Sequence, residues 1–156
     1  MPDSRSRIPG GTWLGFDFGL RRTGVAVGQT TTCTASPLTT LSSTGEPDWH
    51  GLAALFGEWR PVAVAVGLPL GGDGDETDMS RAARAFGEQL EKRYGRPVYY
   101  VDERLTSAAA ETRFAERRAA GTARRKDARR LDAVAAKIIL ENWLQSLPDN
   151  GRTEPA

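Results

Sequence analysis

Thr12-Trp13-Leu14-Gly15-Phe16-Asp17-Phe18-Gly19, continued by Leu20-Arg21-Arg22-Thr23-Gly24 and Val25-Ala26-Val27-Gly28, is the stretch whose reading decides the fold. Side chains alternate across a strand, so Leu14, Phe16 and Phe18 share one face while Gly15, Asp17 and Gly19 share the other. The basic turn at 20–24 ends in glycine, and the apolar run after it predicts the second arm of a hairpin. Asp17 then occupies a strand position beside that turn. Glycines around it remove side-chain bulk, so a metal ion or a phosphate could approach the backbone there. The plainer alternative is an aspartate that caps the turn, since Asp and Gly are ordinary turn residues.

Outward from the hairpin, residues 33–41 are rich in Thr and Ser with Pro37 inside, which predicts an edge strand. Asp48 is a good N-cap for a helix carrying Leu52, Leu55, Phe56 and Trp59 at helical spacing and stopped by Pro61. Residues 63–68 are continuously apolar, as in a strand covered on both faces and parallel to its neighbour. A loop with Asp73 and Asp75 follows, then a helix over 78–94 ended by Gly95 and a strand over 97–101. Asp102-Glu103-Arg104 stands at that strand's end. Thr106 or Ser107 can cap a further helix, which dissolves into the Arg-rich stretch around Gly121, and a last helix runs from about Arg130 to Leu147. The predicted fold is α/β: one mixed five-stranded sheet, its first three strands an antiparallel meander, with flanking helices.

A chain of 156 residues with this pattern is expected to form one domain. The expected division is a flexible tail over 1–11, a folded domain over 12–147 and a flexible tail over 148–156. The single cysteine, Cys33, excludes an internal disulfide, and the single histidine, His50, excludes a zinc site or triad needing several such ligands. The reducing cytoplasm is the expected compartment. No membrane span is predicted, because the longest apolar run suits a strand.

Charge is unevenly placed. Between Arg113 and Arg130 eight basic residues face two acidic ones, on a chain whose net charge is only +1. Such a patch fits a polyanion partner, although a solvated helix face is the commoner origin of charge runs. Three acids from distant segments, Asp17, Glu103 and Asp132, could meet at one end of the sheet. Asp132 aligns with Ala135, Ala136, Ile139 and Trp143 on the buried stripe of its helix. A carboxylate there calls for a compensating cation, either an arginine or a metal ion. Hard oxygen ligands suit Mg2+ or Mn2+, which support in-line attack on a phosphodiester.

Gly15-Phe-Asp17-Phe-Gly19-Leu-Arg21-Arg-Thr-Gly24-Val25-Ala26, then Val66-Gly67-Leu68-Pro69-Leu70, then Asp102-Glu103-Arg104-Leu105-Thr106, then Leu131-Asp132-Ala-Val-Ala135-Ala136 together resemble the YqgF family, also called RuvX. The match runs from Thr12 to Leu147. The resemblance implies a ribonuclease H-like fold, kinship with Holliday junction resolvases, and a nuclease maturing the 5′ end of pre-16S rRNA. It implies Asp17, Glu103 and Asp132 as catalytic, metal-binding acids with Asp102 as a fourth ligand, and Arg21 and Arg104 near the cleaved phosphate. Arg124, Arg125 and Lys126 belong to the basic segment expected to grip nucleic acid. Two departures stand out: related resolvases place an acid where this chain has Gly67-Leu68-Pro69, and paired aspartates on the last helix where it has Ala135 and Ala136 after Asp132.

The expected partner is structured RNA such as precursor rRNA, or branched DNA, bound by a monomer or homodimer. The expected activity is metal-dependent endonucleolytic hydrolysis, with junction resolution or non-catalytic RNA binding during ribosome assembly as alternatives. A phosphate loop of actin-like or sugar-kinase ATPases is disfavoured, because such proteins need a second lobe with a second copy of the loop.

Overall fold

A computed structural model of the protein describes residues 8–103 and 125–148, with side chains in the last stretch from Arg129 onward. The hairpin forms as the alternation demands: β1 (Thr12–Asp17) pairs antiparallel with β2 (Arg22–Gln29), with Asp17 opposite Gly24. β3 (Thr34–Ser42) completes the meander at the sheet edge. Its register slips where Val25 pairs with Thr39 but Ala26 with Pro37, a bulge that accommodates a residue with no N–H to donate. β4 (Ala63–Leu68) runs parallel to β1, and β5 (Val98–Asp102) parallel to β4, giving the order β3-β2-β1-β4-β5.

Helices cover both faces, as the apolar strand over 63–68 requires. α1 (Trp49–Trp59) starts at Asp48, whose carboxylate accepts the Gly51 N–H at 2.9 Å. α2 (Asp78–Tyr94) starts from a capping box made by Thr77 and Ser80 and ends at Gly95 in the left-handed region, φ 67°. Leu52 and Phe56 of α1 and Ala83, Phe86 and Leu90 of α2 bury Leu14, Phe16, Val64 and Val66 on one face. On the other face α3 (Arg125–Ser146) packs Ala136, Ile139, Leu140 and Leu144 over Trp13, Ala26, Ala63 and Ala65. Each large apolar side chain so buried stabilises the fold by about 1.5–3 kcal/mol relative to exposure. No helix among the described residues is long and apolar enough to cross a membrane.

Two details differ from expectation. α3 begins at Arg125, five residues before the expected Arg130. Arg, Lys and Ala are strong helix formers, and Arg129 gains acceptors on β3 that polarity alone does not reveal. The folded region also reaches back before Thr12: Ile8 packs against the α3-side core, and the Trp13 indole donates to the Pro9 carbonyl at 2.9 Å.

Candidate active site

Alternation along each strand sends Asp17, at the end of β1, to the face covered by α3, the side of Trp13 and Gly15. One position beyond the β1–β4 pair Phe16–Val66 stands Gly67. A methyl group there would approach the Ile139 side chain at 2.8 Å and the Glu103 carboxyl carbon at 3.1 Å, so Glu103 lies across the bare backbone of β4. With no side chain at Gly67, the Glu103 carboxyl has room beside β4, where a Cβ would crowd it.

Glu103 is buried, only 6% exposed, and burial pushes its carboxyl pKa up to about 7, with the neighbouring Asp102 charge adding to the rise. Asp102 itself belongs by alternation to the α2 side, with Val98 and Tyr100. Asp17 is buried at 7% exposure. Asp132 approaches from α3, and the Arg22 Nε donates to its Oδ2 at 2.5 Å. The cation that a carboxylate on this stripe requires is thus an arginine, on the strand adjoining β1.

Gly24 links the two sides. It sits opposite Asp17, and any Cβ there would collide with the Asp132 carbonyl and the Ala133 amide. The space expected beside Asp17 is accordingly taken up by protein at Gly15, under Leu140, and at Gly24, under Asp132. The three acids share one end of one sheet face. Even so, among the described residues no three His, Cys, Asp or Glu side chains stand close enough together to hold a metal ion. Asp17 and Glu103 offer buried carboxylates, the donor chemistry a hard divalent cation requires, and Asp132 is engaged with Arg22.

Arg21 is exposed in the β1–β2 turn, its carbonyl accepting the Ser43 N–H at 2.8 Å. Arg104 and Arg124 lie outside the described residues, as do the side chains of Arg125 and Lys126, which open α3. Sequence reasoning missed two residues here, Arg22 and Arg129. A cavity of about 380 Å³ is lined by Arg21, Arg22, Ser42, Ser43, Thr44 and Arg129. Arg22 had a legible signal, because it begins the strand facing Asp17. Arg129 was one of eight similar cations with nothing to single it out.

A family model for RuvX, described as Holliday junction resolvase, matches residues 11–146. A relative from Hydrogenovibrio crunogenus named "Putative pre-16S rRNA nuclease" is 47% identical over 138 residues, covering 88% of this chain and 96% of its own. A second of the same name, from Xanthomonas euvesicatoria pv. vesicatoria, is 43% identical over 99% of this chain and all of its own length. Among solved structures, T. thermophilus RuvC in complex with a Holliday junction substrate aligns with a TM-score of 0.54 at 19% identity, over 86% of this chain and 94% of that one. That likeness establishes the ribonuclease H-like fold.

Proposed function

The chain belongs to the RuvX family, and on that premise we propose that it is a metal-dependent endonuclease trimming the 5′ end of pre-16S rRNA during ribosome biogenesis in the cytoplasm. The observation that carries the reading is the closeness of the Glu103 carboxyl to Gly67, the β4 residue one position beyond the Phe16–Val66 pair. Asp17, Glu103 and Asp132 would hold Mg2+ or Mn2+, with Arg22 giving up Asp132 and Asp102 adding negative charge behind Glu103. Divalent ions, when bound, would lower the pKa of the attacking water so that it gives up its proton, and would offset charge on the leaving oxygen.

The chain's own residues do the rest. Asp17 pairs with Gly24 of β2 and directly follows Phe16, which is paired on both sides of β1, so its carboxylate sits on a rigid element. Glu103, buried and inclined to keep its proton, becomes a strong ligand only when a positive charge stands beside it. Arg21, and Arg104 by its position in the motif, would bind the cleaved phosphate. Arg124, Arg125 and Lys126 would hold the flanking backbone through contacts that weaken with salt.

The test is cleavage of precursor rRNA and of four-way DNA junctions in Mn2+ by the wild type and by Asp17→Asn. The variant is expected to lose at least about a hundredfold in rate, with RNA the preferred substrate. Equal cutting by both proteins overturns the proposal. One observation, the Arg22 grip on Asp132, favours a second reading in which the protein binds RNA without cutting it. Under that reading even the wild type leaves the RNA intact.

A further inference from the structure

The cavity beside Asp132 is built from three separate elements. Arg21 and Arg22 come from the β1–β2 turn and the start of β2, Ser42, Ser43 and Thr44 from the end of β3, and Arg129 from α3. Its lining carries three guanidiniums and three hydroxyls and no acid. Arg22 stands directly across from Ser42 in the β2–β3 register, and the Ser43 N–H donates to the Arg21 carbonyl, so the two walls are tied together by backbone pairing.

Arg129 forms the third wall. Its Nη1 donates to Ser42 Oγ at 2.6 Å and its Nη2 to the Thr40 carbonyl at 2.9 Å, while the Thr40 hydroxyl donates to the Arg129 carbonyl. These bonds fix the plane of the guanidinium and use two of its five N–H donors. The Ser43 Oγ is buried without a hydrogen-bond partner among the described residues. A planar donor fork held in place, with the exposed Arg21 beside it and Arg22 shared with Asp132, matches the oxygens of a phosphate better than any neutral ligand.

We propose that this cavity takes the backbone phosphate next to the one that is cut, with Arg129 as its anchor and Arg21 standing between the two phosphates. The proposal rests on the nuclease reading for the identity of the strand. Because Arg22 both lines the cavity and bonds Asp132, a phosphate seated here lies next to the candidate acids and sets the register of the strand across them.

The test is binding of a labelled single-stranded RNA by fluorescence anisotropy, with EDTA present and salt varied, so that no cleavage is needed. Arg129→Gln is expected to weaken binding about three- to tenfold on every sequence and to lower the slope of log affinity against log salt by about one. Since Arg129 also braces β3, Thr44→Glu provides the independent arm: it adds a repelling charge to the lining and leaves the Arg129 bonds in place. Ala54→Glu, on α1 across the sheet, adds the same charge elsewhere and is expected to change affinity less than twofold. Wild-type binding by Thr44→Glu, or an equal loss in Ala54→Glu, overturns the proposal. Failure of the nuclease reading shows separately, as Asp17→Asn cutting like the wild type.

Discussion

Glu103 carries the most consequential single-residue chemistry in the molecule. Its carboxyl pKa is about 7, raised mainly by burial and then by Asp102, whereas in the unfolded chain it returns to about 4.3. The folded state therefore holds a proton that the unfolded state has already lost across that window. Stability from this group is fully present below about pH 4 and is lost as pH rises through about 7. The difference corresponds to roughly 4 kcal/mol at most. Urea unfolding in EDTA at pH 5 and pH 8 is expected to show the wild type losing 1–3 kcal/mol relative to Glu103→Gln, about what partial relaxation of the site would leave. Parallel pH profiles for the two proteins would remove the buried acid from the account. Asp132 shows how much of this chemistry the sequence held: its helical phase placed a charge on the packing stripe and required a cation. The identity of that cation was out of reach, because Arg22 is 110 positions away and meets it only once the sheet and α3 are docked.

At the scale of elements, the contact between α3 and the sheet is set by glycines, and two of them separate stability from activity. At Gly24 an added methyl meets the Asp132 carbonyl and the Ala133 amide, backbone atoms that can move only by lifting the helix. At Gly67 it meets the ends of the Ile139 and Glu103 side chains, which can rotate away. Gly24→Ala is expected to cost about 3 kcal/mol in urea unfolding and Gly67→Ala about 1 kcal/mol, the two ends of the usual overpacking range. Gly67→Ala should nevertheless lose most cleavage activity, because the added methyl crowds the Glu103 carboxyl. Similar unfolding costs for the two variants would show that α3 does not ride on Gly24. Strands and helix starts were legible here: alternation gave β1 and β2, and Asp48 and the stop at Gly95 marked helix ends. The early start of α3 was not legible, because an arginine run reads alike as solvated coil or as helix until Arg129 is seen on Thr40 and Ser42.

Across the whole molecule, the two sheet faces divide the labour. The face under α1 and α2 is closed by aromatic packing, with Phe16, Phe18 and Trp49 all ringed on Phe86. The face under α3 ends in Asp17, Glu103, Asp132 and the arginines beside them. Sequence order points to one end of the sheet for the acids, at the ends of β1 and β5 and on the last helix, but not to the face they would share. It could not give their spacing, which depends on how closely α3 settles. A divalent cation held by these acids in the folded protein and not by the unfolded chain stabilises the folded form. Mass action makes this about 2.7 kcal/mol at a hundred times the dissociation constant. Millimolar Mn2+ at pH 8 is therefore expected to raise the wild-type melting temperature by several degrees, and to raise that of Asp17→Asn or Glu103→Gln far less. Melting curves of the wild type that ignore Mn2+ would mean the acids do not draw an ion together, leaving Asp132 to Arg22.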